Sequence, residues 1–264
     1  MNVITGLPRS GSTLLCNLLN QHPHIYTSST SILPSFVMGI VHTYSTSTEI
    51  KSDLIRDRDM AEKRVDRVLK AFIDSYYSHI INKEMLFDKS RGWLPIVPVL
   101  WKLYPHAKVV VTVRDPRGVP GSLEKQNAKN PTLDSNKERS ITKRVEDFYG
   151  DEGMVGLPLR SIEDAIRRKL QVHYIKCEDF VDAPRETLSQ LHKYLEIDNF
   201  EHDIDNVIST ATDVDALYLF KFPHEGSGKI VPCDRDEWKQ YMPEEVSRVL
   251  LDKFSVFCKH FGYQ

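Results

Sequence analysis

The sequence predicts an α/β protein, one three-layer domain in which a central parallel β-sheet is flanked by helices. Three observations carry that expectation. "NVIT" runs through a Gly-rich turn into "TLLCNLLNQHP", giving strand, loop and helix in immediate succession. "KVVVTV", residues 108–113, is an unbroken apolar and β-branched run of the kind found in strands buried on both faces. "VHYIKC" followed by "APRETLSQLHKYLEI" then repeats the alternation of strand and helix that a parallel sheet requires.

Taken in order, the first helix is set by Leu14, Leu15, Leu18 and Leu19 at helical spacing, and Pro23 ends it. Residues 24–50, rich in Ser and Thr, read as irregular. "DMAEKRVDRVLKAFIDSYYSHI" is a long helix that gathers Val65, Val68, Leu69, Phe72, Ile73 and Tyr76 on one face. The strand at 108–113 ends in "RDPRGVPGS", a turn-rich segment expected at the carboxyl edge of the sheet, where open α/β sheets bind ligands. The polar stretch 125–152 fits either a flap or a solvated helix and loop. Pro184 opens a helix lined by Leu188, Leu191 and Leu195. The tail "PEEVSRVLLDKFSVFCKHFGY" reads as one amphipathic helix with Val246, Val249, Leu250, Phe254 and Phe257 inward. There is no internal repeat.

The chain has 264 residues, 41% hydrophobic and 27% charged, enough for one well-buried core. Its formal net charge of -2 argues against nucleic acid or a membrane surface as a general partner, so any anion site must come from local basic clusters. The cysteines Cys16, Cys177, Cys233 and Cys258 show no paired spacing and read as reduced thiols. No apolar run approaches the roughly 20 residues of a membrane span, and "MNVITG" enters directly on a strand. The expectation is a soluble, cytoplasmic protein.

"GLPRSGST", Gly6 to Thr13, nearly matches the phosphate-binding loop of nucleotide hydrolases, but Ser12 stands where the lysine belongs. A Gly-rich turn opening a helix still offers backbone N–H groups and a positive helix end to an anion. Ser10, Gly11, Ser12 and Thr13 are placed for that cradle, and Arg9 adds one fixed positive charge. Without the lysine, such a loop suits a monophosphate carrying one further anionic group better than a triphosphate with magnesium.

"GLPRSGSTLLCNLLNQHP" resembles the 5′-phosphosulfate loop of sulfotransferases that use 3′-phosphoadenosine 5′-phosphosulfate (PAPS). The family's second signature, an Arg ending a central strand and a Ser eight residues later, is matched by Arg114 and Ser122 in "RDPRGVPGS". "LPIVPVLWKLYPHAKVVVTV" and "YIKCEDFVDAPRETLSQLHKYLEI" are similar to the family's flanking segments, so the resemblance extends in pieces to about residue 197. It implies a P-loop nucleotide-hydrolase-like fold, transfer of a sulfuryl group to a hydroxyl or amine, and 3′-phosphoadenosine 5′-phosphate (PAP) as product, without a metal. It further implies donor contacts from Arg9, Ser10, Gly11, Ser12, Thr13, Arg114 and Ser122. Arg9 becomes a catalytic candidate at the leaving phosphate, and Lys89, in "FDKSRGW", a second one at the sulfonate. The competing reading of Lys89 is a surface lysine lying along Trp93. Late in the chain, "HEGSGKIVPCDRDEW" falls where the family has a second basic loop, which makes Ser227, Gly228 and Lys229 donor candidates or else an exposed loop.

This chain also departs from the pattern. The small-molecule branch has a His two residues past the lysine, here Arg91, and the tyrosine-protein branch has a Glu after the first helix, here "TSSTS". Neither base carries over. Asp88, Glu84, Glu124, His22 and His24 are the nearby titratable groups. The adenine-packing Tyr is replaced by Cys177, and Asp115 has no metal role in the family. Acceptor recognition is expected from 24–50 and 125–152, with a small molecule, saccharide or peptide as acceptor. A P-loop kinase or NTPase, and a non-catalytic nucleotide-binding module, are the alternatives.

Overall fold

A computed structural model describes residues 1–129, 140–211 and 226–264, with side chains to 126 in the first stretch. The segments 130–139, inside the polar stretch 125–152, and 212–225 lie outside the described residues.

Five parallel strands form one sheet: β1 (Asn2–Gly6), β2 (Ile25–Thr30), β3 (Met85–Lys89), β4 (Val109–Val113) and β5 (His173–Lys176), in the spatial order β2-β3-β1-β4-β5. Alternation along the strands distributes side chains to two cores. Val3, Val109, Val111 and Val113 enter one core, and Ile4, Phe87, Val110 and Ile175 enter the other. Every residue of β4 is buried, as its apolar run requires of a strand covered on both faces.

The second core is closed by α1 (Ser12–Leu19) and α10 (Pro184–Leu195), through Leu15, Leu18 and Leu19 on one and Leu188, Leu191 and Leu195 on the other. The first core lies under α2 (Leu33–Thr46), α4 (Arg58–Tyr76), α5 (Val97–Leu103), α8 (Gly156–Arg167), α11 (Glu244–Lys253) and α12 (Ser255–Phe261). The remaining helices are α3 (Thr48–Arg56), α6 (Gly118–Lys129), α7 (Ile141–Tyr149) and α9 (Cys177–Asp182). This is the three-layer α/β arrangement the sequence predicts.

Three sequence expectations are corrected. Residues 24–50 are not irregular: they form β2, α2 and the start of α3. Their hydroxyls are absorbed locally. Thr43, Ser45 and Thr46 each donate to the carbonyl four residues back, at 3.0, 2.6 and 2.9 Å, and the Ser47 hydroxyl caps α3 by accepting from Ile50 N at 3.3 Å. The tail is two helices rather than one, broken at the buried Phe254, and Val249 is 63% exposed. On α4, Val68 is also exposed, because Leu69 and Ile73 supply the inward stripe. All four cysteines are free, three of them buried and Cys233 half-buried. Among the described residues, no helix is long and apolar enough to cross a membrane.

One contact fixes the spacing at the sheet's carboxyl edge. Gly6 has φ +132°, and a Cβ there would lie 2.0 Å from the Thr112 carbonyl oxygen. Gly6→Ala is expected to cost at least about 2 kcal/mol, from overpacking against backbone and a strained φ. Urea denaturation with an unchanged midpoint would refute so close an approach.

Candidate functional site at the carboxyl edge of the sheet

The loop between β1 and α1 is held by its own side chains. Ser10 is fully buried, and its hydroxyl donates at 2.6 Å to the Leu7 carbonyl and lies 2.7 Å from the Thr112 hydroxyl. The Leu7 N–H donates to the Thr112 carbonyl at 2.9 Å. These bonds clamp the loop onto β4. Gly11 then turns the chain into α1 with φ +81°, a left-handed conformation suited to glycine. The N-cap Gly11 brings no capping side chain and no acidic residue sits in the first turn of α1, so the helix itself supplies nothing to offset the positive end at Ser12 and Thr13.

The second signature comes to the same place. Arg114 follows β4, and its Nη1 donates to the Arg9 carbonyl at 3.0 Å, while Arg9 Nε donates to the Ser122 hydroxyl at 3.1 Å. Arg9, more than a hundred residues from both Arg114 and Ser122, thus shares one hydrogen-bonded cluster with them. Its rear is fixed by Glu178, which is buried. One of its carboxylate oxygens accepts from Asp115 N at 2.9 Å, and the other accepts from the Tyr263 hydroxyl at 3.0 Å. Asp115 itself pairs with Arg117 at 2.7 Å. Among the described residues, no group of three or more His, Cys, Asp or Glu is arranged to hold a metal ion.

Lys89 ends β3, and it is not a surface lysine. Its side chain is buried, and its Nζ donates to the Thr13 hydroxyl at 3.1 Å. Trp93 does not lie along it: its ring is buried and its Nε1 donates to Asp88 at 2.5 Å. Asp88 points to the opposite face of β3 and also accepts from the Tyr77 hydroxyl at 2.5 Å. Burial raises its pKa, yet both carboxylate oxygens face protein donors, which removes it as a base for the cleft.

These residues line a cleft of about 340 Å³, with Arg9, Gly11, Ser12, Thr13, Lys89, Arg91, Arg114 and Ser122 in its wall. Thr30, Met154 and Cys177 complete it on the sides. Among the described residues, four cations and no carboxylate are in that lining. Burial pushes the Cys177 thiol up to about 12, so it stays protonated at neutral pH. The other titratable groups are spent elsewhere: Glu124 on Arg144 at 2.6 Å, Glu84 on His24 at 3.2 Å, and His22 against the Phe200 ring.

The late loop is bridged to the segment 204–207. Gly228 exchanges backbone bonds with Val207 at 2.9 and 2.8 Å, and the exposed Lys229 pairs with Asp205 at 2.8 Å. Ser227, also exposed, goes with them. Just before them, Gly226 packs on the opening of α1: its carbonyl accepts from Asn17 Nδ2 at 2.7 Å, and a Cβ there would lie 3.1 Å from Leu14 N. Met154 was not singled out from the sequence, and no motif marks it.

Because the Ser10 hydroxyl is committed to the loop, Ser10→Ala is expected to lower stability by about 1–3 kcal/mol, the cost of leaving buried partners unsatisfied. Thermal or urea unfolding checks this. A wild-type midpoint would mean that the clamp carries no weight.

Comparison with known proteins follows the same residues. The profile of the sulfotransferase family matches residues 3–202. The chain is 26% identical over 200 residues to protein-tyrosine sulfotransferase 1 of Danio rerio, covering 74% of this chain and 52% of that protein. It therefore spans about half the length of that relative. The sulfotransferase domain from the curacin biosynthetic pathway superposes with a TM-score of 0.61 at 17% identity, covering 97% of both chains. The mouse sulfotransferase SULT7A1 complexed with PAP superposes with a TM-score of 0.53 at 17% identity, covering 98% of this chain and 83% of that one. With the profile spanning both phosphate signatures and the lysine strand, the chain belongs to the sulfotransferase family.

Proposed function

We propose that this chain is a PAPS-dependent sulfotransferase, a single catalytic domain over 1–264 that moves a sulfuryl group onto a hydroxyl or amine. The observation that carries the reading is the junction of the two signatures, Arg114 to the Arg9 carbonyl and Arg9 to Ser122. A ligand that fits must present one anionic group to the loop and another to Arg114 and Ser122. PAP, present in one of the similar sulfotransferase structures, has that layout. A kinase or NTPase reading has no lysine at position 12 to support it.

Bound PAPS would supply an activated sulfur–oxygen bond, which breaks toward the 5′-phosphate as a new bond forms to the acceptor atom, with the acceptor's proton released. The rest belongs to this chain's residues. N–H groups at Ser12 and Thr13 receive the 5′-phosphate, and the Arg9 guanidinium stabilises charge that grows there. Lys89, fixed by Thr13, faces the transferred group and holds it in line between donor and acceptor. Arg114 and Ser122 retain the 3′-phosphate through charge-assisted bonds. The acceptor class is a small molecule, saccharide or peptide. The site of action is proposed as cytoplasmic, on the reading of the thiols as reduced.

No side chain in the described lining accepts a proton readily at neutral pH. That observation favours a second reading, a nucleotide-binding module without turnover. Turnover of labelled PAPS separates the two.

Thermal shift should respond strongly to PAP and weakly to 5′-AMP or Mg-ATP. A response to Mg-ATP alone would overturn the sulfotransferase reading. Arg114→Ala should weaken PAP by about 1.5–3 kcal/mol while leaving 5′-AMP affinity unchanged. Equal affinity for PAP in the variant would remove the 3′-phosphate site from Arg114. Lys89→Ala should reduce turnover by about a hundredfold or more, with a much smaller effect on PAP binding. Parallel losses in both would make Lys89 an anchor only.

A further inference from the structure

The strand order sets one side of the cleft apart. Residues that follow β4 and β5 lie on one side of the loop after β1, and residues that follow β3 and β2 lie on the other. Under the proposed sulfotransferase reading, on which this inference rests, the loop and the β4/β5 side form the donor half. There the preference for a second phosphate falls to Arg114, and a guanidinium selects only as well as the backbone that carries it is fixed. Arg114 is the first residue after β4, at the start of the turn that enters α6 at Gly118.

Inside that turn, the Asp115 carboxylate accepts from Arg117 N at 2.8 Å and from Arg117 Nη2 at 2.7 Å, and the Asp115 carbonyl accepts from Gly118 N at 2.9 Å. From outside it, the Tyr149 hydroxyl donates to the Pro116 carbonyl, and the Asp115 N–H donates to Glu178 at 2.9 Å. The bond to Glu178 acts on Arg114 directly. The Arg114 carbonyl and the Asp115 N–H belong to one planar peptide, so holding that N–H fixes the plane and with it the ψ angle of Arg114. Glu178 is buried, and its other carboxylate oxygen accepts from the Tyr263 hydroxyl at 3.0 Å. Burial and the Glu178 carboxylate push the Tyr263 phenol above its ordinary value, so it stays a donor. Tyr263 has anchors of its own. Its backbone N–H donates to the Cys258 carbonyl at 2.9 Å, its ring lies nearly parallel to that of Phe257 with centroids 5.8 Å apart, and Lys176 Nζ is 5.1 Å from its centre.

We propose that Tyr263 is a positioning residue for the donor's 3′-phosphate. Its hydroxyl holds the Glu178 carboxylate against the Asp115 N–H, and that carboxylate holds the peptide from which the Arg114 side chain departs. Without the hydroxyl, the buried carboxylate keeps one of these two bonds and can rotate about it, and the Arg114 peptide loses its fixed plane. Tyr263 and Glu178 are outside the described cleft lining, so their action is indirect. It bears on the choice between a nucleotide with a 3′-phosphate and one without.

The test is calorimetric titration of the full chain with PAP, with 5′-AMP measured by competition against it; the ratio of the two affinities is the readout. Tyr263→Phe keeps the ring's contacts and removes only the hydroxyl. It is expected to lower the ratio about threefold to tenfold, the worth of one hydrogen bond, with 5′-AMP affinity unchanged. Glu178→Gln can still accept from Asp115 N and donate to the Tyr263 oxygen, so its ratio should be no lower than that of the wild type. Glu178→Leu should lower the ratio at least as far as Tyr263→Phe, and combining the two should lower it no farther than Glu178→Leu alone, because both act along one path. Urea midpoints are recorded alongside, since a purely structural role would shift them and leave the ratio alone. An unchanged ratio in Tyr263→Phe overturns the proposal, as do equal losses of PAP and 5′-AMP affinity, additive losses in the double variant, or a Glu178→Gln ratio as low as that of Tyr263→Phe. If Glu178→Leu does not fold, Tyr263→Phe and Glu178→Gln decide the matter between them. A wild-type chain that does not prefer PAP over 5′-AMP would instead defeat the sulfotransferase reading.

Discussion

The near contact of β1 and β4 at Gly6 is the constraint from which the site follows. Because no Cβ intervenes between Gly6 and the Thr112 carbonyl, the loop can be bolted to β4 through Leu7 N, the Ser10 hydroxyl and the Thr112 hydroxyl. β4 is also the strand that delivers Arg114, whose guanidinium returns to the Arg9 carbonyl. The positions of the two proposed phosphate sites are therefore coupled through covalent geometry and a few short bonds. A rigid spacing between two anion sites is what allows a ligand with two separated phosphates to be distinguished from one with a single phosphate.

Electrostatics reinforce that frame. Cations of the cleft are held by neutral partners, a carbonyl at Arg114 and Arg91 and hydroxyls at Arg9 and Lys89, among the bonds resolved here. Those bonds help to orient the side chains along the cleft that they line. Carboxylates near the cleft are engaged on the far side of the polypeptide: Glu178 at the Asp115 N–H, Asp115 at Arg117, and Asp88 behind β3 with Tyr77 and Trp93. Asp88 also joins β3 to the end of α4 and to the turn at 91–96, which makes the helical layer built from 33–76 a mechanical neighbour of Lys89.

Much of the donor half was legible in the residues. A Gly-rich turn between a strand and a helix has few physical uses, and the Arg114/Ser122 spacing matched a second known element. Lys89 was legible as a candidate, yet its burial was not, because depth depends on Thr13 arriving from α1 and Ser28 from β2. The Ser/Thr-rich stretch misled for a specific reason. Hydroxyls that bond to their own helix carbonyls or cap its end look, in sequence, the same as hydroxyls that face water. At Ser227 to Lys229, nothing local announces that Lys229 is paired with Asp205.

The sequence by itself determined the fold class, the Gly-rich turn between β1 and α1 and the family signatures, because each depends on periodicity or on residues adjacent in the chain. Tertiary structure decided what those residues are near. It gave the Ser10 hydroxyl to the loop clamp, set Lys89 beside Thr13, turned Asp88 away, and placed Arg91 with Met154 on the half of the cleft opposite Arg114. Strand order is the physical reason. In a sheet ordered β2-β3-β1-β4-β5, neighbours in space are rarely neighbours in sequence, so the charge pattern of the cleft exists only once the strands are paired.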